Sequence, residues 1–297
     1  MNKINTILVT GSSGQLGQSL KRLSSDYPQY EMMFVSRDEL DLSRTESIEQ
    51  FFHQHQFDLI INCAAYTAVD KAESEPELAD KANHLAVKKL AEIACLQKSK
   101  LIHVSTDYVF NGQHSMPYIE ADAVEPQGVY GLTKLLGEQA LAAEMSENAL
   151  IIRTSWVYSE FGSNFVKTML KLGQARDSLT VVFDQIGTPT YAHDLATDIM
   201  AIAGHSSFNS GNFTSDIVHY SNEGVCSWYD FAKSIFELST VDCRVEPIEA
   251  KEYPTPAVRP HYSVLNKTKI KDCYGVEIPY WKDSLQVCLE NLQEQSE

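Results

Sequence analysis

Tyr130-Gly131-Leu132-Thr133-Lys134 sets a phenol and an ammonium four residues apart, stacked on one face of a helix. A neighbouring cation stabilises phenolate and brings the phenol towards a useful range for proton transfer. The pair alone is weak evidence, because composition yields roughly 0.8 such pairs per chain by chance. A second pair, Tyr229 and Lys233, is present. Position separates the two. Tyr130 follows a fourth strand, whereas Tyr229 sits among Trp228, Phe231, Ile235 and Phe236, a set that reads as core packing. Ser105-Thr106-Asp107 leaves that same fourth strand. The Thr106 hydroxyl there can hydrogen-bond a substrate carbonyl beside Tyr130, although the triplet alone is equally a turn or cap.

Gly11-Ser12-Ser13-Gly14-Gln15-Leu16-Gly17 follows the first strand and opens a helix. Glycines permit the tight turn, close approach of backbone to a pyrophosphate and close helix–strand packing. The helix start adds free N–H groups and a positive dipole end. Chance supplies roughly 0.03 such G-x-x-G-x-x-G patterns in a chain of this composition. The second strand ends in Val35-Ser36-Arg37, with Asp41-Leu42 beyond. An acidic residue at that strand end suits ribose hydroxyls, whereas arginine suits a 2′-phosphate. Arg37 thus points to NADPH, with NADH as the second coenzyme; a solvated surface arginine is the other reading.

These residues need a scaffold. Ile4–Thr10, Glu31–Val35, Phe57–Ala65, Lys100–Ser105 and Ala149–Thr154 are short apolar runs that read as strands. Helical patterns lie between them, near 14–23 and 48–52, over Leu78 to Leu96, and over Val129 to Ala143. Leu78, Ala82, Leu85, Leu90 and Ile93 fall roughly on one face. The alternation predicts an α/β fold, a Rossmann-type doubly wound parallel sheet with ligands at its carboxyl edge. The second half is less regular, with helical patterns at Asn164–Leu172, His193–Ile202 and Ser227–Leu238 and prolines at 254, 256 and 260. No glycine- or proline-rich hinge divides the chain. The expected division is a dinucleotide-binding domain from 1–155 plus about 180–222, and a smaller mixed α/β substrate-binding lobe from about 156–179 and 223–297.

The 297 residues carry 24 basic and 40 acidic side chains, a net charge of −16. Acid excess is spread evenly, with 12 basic and 21 acidic groups in residues 1–150 and 12 and 19 in the remainder. Such a field repels nucleic acid and anionic membranes, so neither is an expected partner. Met1 to Thr10 reads as a strand running into glycines rather than as a signal peptide, and no apolar run reaches membrane-helix length. Six scattered cysteines read as reduced, mostly buried thiols, and the cytoplasm is the expected compartment.

GSSGQLG, the Asn62–Glu73 segment NCAAYTAVDKAE, STDYVF and YGLTK together resemble the extended short-chain dehydrogenase/reductase family. RTSWVY (153–158), NFVKTML (164–170), DQIGTPT (184–190) and YPTPAVRP (253–260) extend the likeness, nearly end to end, to its reductases of dTDP-linked 4-keto sugars. The resemblance implies reduction of the C4 ketone of dTDP-4-dehydro-β-L-rhamnose to dTDP-L-rhamnose. It implies cofactor on Gly11, Gly14, Gln15, Leu16 and Gly17, with Arg37, Asp41, Leu42, Ala64, Ala65 and Tyr66 around the adenosine and pyrophosphate. Tyr130 would protonate the sugar oxygen. Lys134 would hold the nicotinamide ribose and lower the tyrosine pKa. Thr106 would orient the carbonyl beside Asp107, Trp156 would contact the nucleotide-sugar, and Arg259 would meet its diphosphate or hold the lobe by a salt bridge. A homodimer is a further implication. Some family members bind Mg²⁺ through glutamates, but Tyr191-Ala192-His193-Asp194 after DQIGTPT contains none, so no metal is expected. The rivals are a reductase of another nucleotide-linked 4-keto sugar, an epimerase or dehydratase holding NAD⁺, and a non-catalytic NADP-binding regulatory subunit.

Overall fold

The computed structural model describes residues 4–211 and 213–295; residues 1–3, which the sequence reading joins to the first strand, lie outside them. The first half winds as β1 (Thr6–Thr10), α1 (Gln15–Leu23), β2 (Glu31–Val35), α2 (Thr45–Gln54) and β3 (Leu59–Asn62). Two short helices, α3 (Val69–Ala72) and α4 (Pro76–Asp80), precede α5 (Ala86–Gln97), β4 (Lys100–Thr106), α6 (Val129–Glu144) and β5 (Ala149–Thr154). The second half runs β6 (Val157–Tyr158), α7 (Phe165–Ala175), β7 (Ser178–Val182), β8 (Ile186–Gly187), β9 (Thr190–Tyr191) and α8 (Ala192–Gly204). It continues β10 (Asp216–Tyr220), β11 (Cys226–Ser227), α9 (Trp228–Ser239), β12 (Arg244–Ile248), α10 (Thr268–Tyr274) and α11 (Trp281–Glu294).

Strands align in the order β2-β1-β3-β4-β5-β10, every pair parallel. The expected doubly wound α/β fold is therefore present. The order reverses between β1 and β3, which opens a crevice at their carboxyl ends. β3 and β5 are buried along their whole length, as strands covered on both faces must be. On one face Leu20 of α1 and Leu195 and Ile199 of α8 pack against the sheet; on the other, Ile48 of α2, Leu90 of α5 and Leu141 of α6 do. A third core, with Tyr158, Phe231 and Leu285 at full burial, joins α7, α9 and α11. β7 pairs there with β12.

Two expectations change. The helix over Leu78–Leu96 is broken into α4, a π-helical turn at Lys81–Leu85, and α5. The wider turn rotates the apolar stripe, so Leu90 and Ile93 are buried while Leu78 and Leu85 are nearly half exposed. Segment 268–276, expected in the substrate-binding lobe, supplies Ile270, Tyr274 and Val276 to the core beneath the large sheet. Lys269 fastens it there, donating to Asp216 at 2.5 Å and to the Ile217 carbonyl at 2.8 Å. Of the free thiols, Cys226, Cys243 and Cys288 are buried, whereas Cys95 and Cys273 are exposed. Among the described residues no helix is long and apolar enough to cross a membrane.

Candidate active site

A cavity of about 730 Å³ lies at the β1/β3 switch point, between the carboxyl edge of the sheet and the second lobe. Gly11, Gly14, Gln15, Leu16, Arg37, Asp41, Leu42, Ala64, Ala65, Tyr66, Thr106, Asp107, Tyr130, Lys134 and Trp156 all line it. Gly17 and Arg259 do not.

Gly11 has φ +68°, and a Cβ there would sit 2.8 Å from the Ala64 backbone. That brings the first loop against the one after β3. A Cβ on Gly17 would lie 2.3 Å from the Gly11 carbonyl, so Gly17 serves helix–loop packing rather than ligand contact. Gly14 starts α1 without a side-chain cap, and no acidic residue occupies the first turn. The helix start is therefore suited to an anion. Gln15 also ties the loop to the second lobe. It donates to the Val157 carbonyl at 3.2 Å and accepts from Ser159 at 3.1 Å and Asn164 at 2.9 Å.

Tyr130 occupies the first turn of α6, its ring edge-on to Tyr108 at 5.5 Å. Burial pushes its phenol up to about 12, opposed by a hydrogen bond with Thr106 and reinforced by the charge of Asp107. The expected lowering by Lys134 is not what the structure shows. Lys134 is buried, and its Nζ donates to the Val104 carbonyl at 2.7 Å and lies 3.3 Å from His103 Nε2. Burial brings this amine down to about 8. Thr106 caps the turn after β4, accepting from the Tyr108 N–H at 3.2 Å. Asp107 is 2 % exposed, one of its oxygens is unpartnered, and burial holds its carboxyl up to about 6.

Trp156 stands at φ +48°, stacked on Trp228 with ring centroids 3.5 Å apart. Trp228, at the start of α9, lines the cavity too. Its helical pattern reads as core, which holds fully for Phe231 and Ile235; Trp228 packs on that core half-buried and faces the cavity as well. Tyr229 keeps a packing role, with Lys233 over its ring at 5.8 Å. Asn83 is a second residue the pattern hides. From within the π-helical turn it accepts from the Tyr66 N–H at 2.8 Å and donates to the Tyr66 carbonyl and to Thr133. It thereby clamps the loop after β3 to α6.

Arg37 is largely exposed beside Asp41 at 3.5 Å, with Ser43 within reach. Arg259 lies outside the cavity wall. Its guanidinium grips Asp70 of α3 with bonds of 2.7 and 3.0 Å, which fixes the proline segment beside Tyr108. Of the two sequence readings, the salt bridge is the one formed. Among the described residues no group of three or more His, Cys, Asp or Glu side chains is arranged for a metal ion.

The family model for the RmlD substrate binding domain matches residues 5–294. The chain is 42 % identical over 282 residues to a dTDP-4-dehydrorhamnose reductase of Sinorhizobium fredii, covering 94 % of each. A dTDP-4-dehydrorhamnose reductase structure from Clostridium acetobutylicum superposes with a TM-score of 0.90 at 39 % identity, over 97 % of this chain and 99 % of that one. The Bacillus anthracis enzyme of the same name, solved in complex with NADP, gives a TM-score of 0.90 at 34 % identity with the same coverage.

Proposed function

The chain belongs to the RmlD substrate binding domain family, and from that membership we propose that it reduces the C4 ketone of dTDP-4-dehydro-β-L-rhamnose to dTDP-L-rhamnose with NADPH. The observation that carries this reading is the single cavity in which the glycine loop, Thr106, Tyr130, Lys134 and Trp156 meet. The glycine loop suits a dinucleotide: Gly11 and Gly17 allow its tight turn against neighbouring backbone, and the start of α1 has neither a side-chain cap nor an acidic residue in its first turn, which suits a pyrophosphate. Gly11, Gly14, Gln15 and Leu16 would cradle the pyrophosphate at the start of α1, with Ala64, Ala65 and Tyr66 opposite. Leu42 and Asp41 would border the adenosine, and Arg37 would take the 2′-phosphate.

When bound, NADPH supplies the hydride delivered to the sugar C4. Tyr130 gives its proton to O4, so the phenol O–H breaks as the new alcohol O–H forms. A phenol held near 12 keeps that proton at neutral pH and yields it to a strong base such as a developing alkoxide. Thr106 orients the carbonyl beside Asp107. Lys134 presents an N–H to the nicotinamide ribose, and the Trp156–Trp228 stack walls the nucleotide-sugar. Positioning is the protein's main contribution. The compartment that goes with this reading is the cytoplasm.

The test is product identification by NMR after the purified protein meets the keto-sugar and NADPH. dTDP-L-rhamnose is expected. The C4 epimer would reassign the sugar, and absence of NADPH oxidation would refute a reductase. Tyr130→Phe should cost about 10²–10⁴-fold in kcat while NADPH still binds.

A further inference from the structure

Three charged side chains are buried together behind the cavity wall. Lys134 and Glu138 stand one turn apart on α6, and Arg153 lies in β5. None is more than 3 % exposed. Arg153 grips the carboxylate with two bonds, Nε to Oε1 at 3.0 Å and Nη2 to Oε2 at 2.6 Å, and Ser105 of β4 donates to Oε1. Parallel pairing sets Ser105 opposite Arg153, while Lys134 donates to the carbonyl of Val104, the residue before Ser105. The ammonium thus stands over β4, the guanidinium on β5, and the carboxylate is held by both strands.

Two buried cations need an anion between them. Arginine does not give up its proton in a protein, so any excess of positive potential must be relieved at the lysine. The other groups around the three supply no second anion to Lys134. His103 of β4, 3.3 Å from Lys134, is held neutral by burial and by the lysine charge. Cys63, after β3, is a thiol pushed up to about 12, and Tyr130 on α6 is a phenol held equally high. Asp107, after β4, acts on Tyr130 rather than on Lys134. Arg153 also faces the Phe110 ring at 5.1 Å and His219 of β10, which is brought down to about 3 by burial and then by the Arg153 charge. Burial lowers Lys134 to about 8, and Glu138 is the foremost charge opposing that fall.

We propose that Glu138, fixed by Arg153 and Ser105, is a positioning residue that keeps Lys134 in its charged, three-donor form for the cofactor. An ammonium gives one N–H to the Val104 carbonyl and still has donors for a ligand, and its charge strengthens the bond to a hydroxyl. A neutral amine in the same place is a weaker donor. Glu138 does not line the cavity, so its effect on a ligand passes through Lys134. The inference rests on the reading of Lys134 as the group that holds the nicotinamide ribose.

Lysine ¹³Cε NMR, with the signal identified by Lys134→Arg, should show Lys134 titrating near pH 8. Glu138→Gln should lower that titration by about one pH unit, and Glu138→Asp, which keeps the charge, should restore most of it. Fluorescence titration with NADPH should follow the charge. At pH 8 the ammonium form falls from about one half to about one tenth in Glu138→Gln, so Kd should rise about fivefold, whereas at pH 6 native and variant should bind nearly alike. Damaged packing alone would weaken binding equally at both pH values. An unmoved or raised Lys134 titration in Glu138→Gln, or a Kd ratio that is the same at pH 6 and pH 8, overturns the proposal. Glu138→Gln strands a buried Arg153, so the double variant with Arg153→Met is a second test without an unpaired charge. Lys134 should still titrate lower there than in the native protein, because Arg153 lies a strand further off; no fall overturns the proposal as well. Failure of the native protein to bind NADPH at any pH would refute the cofactor reading and leave the lysine titration intact.

Discussion

Trp156 and Trp228 lie face to face, their ring planes 10° from parallel and their centroids 3.5 Å apart. One follows β5 of the large sheet; the other opens α9 of the second lobe. Gly187 makes room for the first ring, since a Cβ there would sit 2.7 Å from it. Trp156 has left-handed backbone, which costs of order 1 kcal/mol or more and persists only where its surroundings hold it. Trp228→Ala should release the ring. We expect KM for the dTDP-sugar to rise about fivefold with kcat nearly unchanged, from the loss of roughly 1 kcal/mol of stacking. Steady-state kinetics and a red shift in tryptophan emission report it. An unchanged KM would remove the stack from the sugar-binding wall.

Arg37→Ala separates the coenzymes. The guanidinium is exposed and its only ion pair is a long one to Asp41 among the described residues, so it is available to a 2′-phosphate. KM for NADPH should rise by about 10–100-fold, the value of one charge-assisted hydrogen-bonded pair, while KM for NADH stays within about twofold. Equal changes for both coenzymes would leave Arg37 a surface residue.

Arg259 and Asp70 can be told apart from a substrate contact by a double-mutant cycle. Both side chains are partly exposed, at 26 % and 40 %, so their coupling in urea unfolding should be modest, about 1 kcal/mol. Asp70→Asn and Arg259→Ala should then alter the dTDP-sugar KM alike, by loosening the same segment. A large KM effect confined to Arg259→Ala would restore its contact with the diphosphate.

Asp107 gives stability a particular pH dependence. Burial raises its carboxyl from 3.8 to about 6, so the folded state holds the proton more tightly than the unfolded chain. Its contribution is fully present below about pH 4 and is lost as pH climbs through 6. Asp107→Asn removes that titration. Relative to this variant, the native protein should therefore weaken between about pH 4 and 7, by at most about 3 kcal/mol. Chemical denaturation at several pH values reads the difference, and Asp198, also raised to about 6, cancels because both proteins keep it. A constant difference across that range would show that Asp107 does not titrate there.

Where local pattern and tertiary demand agree, the sequence is legible. β5 falls at Ala149–Thr154 as expected, and Tyr130, Lys134 and Thr106 meet where the fourth strand ends. Failures come where one residue serves two purposes. Trp228 continues an amphipathic helix whose neighbours are core, and periodicity says nothing about which end of that helix meets the cavity. The π-helical turn carries no breaker residue, yet it places Asn83 where it can bind both backbone groups of Tyr66. Arg259 has the same charge whether it meets a phosphate or a carboxylate, so only the position of Asp70 decides. His103 reads as one more apolar-strand residue until its neighbours across the sheet are known.

The sixth strand has a consequence for synthesis. β5 is complete at Thr154, but β10, which pairs with its free side, ends only at Tyr220, and α8, which covers the same part of the sheet, arrives between them. A nascent chain that has emerged through β5 thus holds the strands of the nucleotide crevice next to an open edge. Neither that edge nor the apolar face that α8 will cover is protected until residues 155–220 have also left the ribosome. The growing polypeptide is therefore most vulnerable to strand addition and chaperone capture in this interval, after its ligand loop exists and before its sheet is closed.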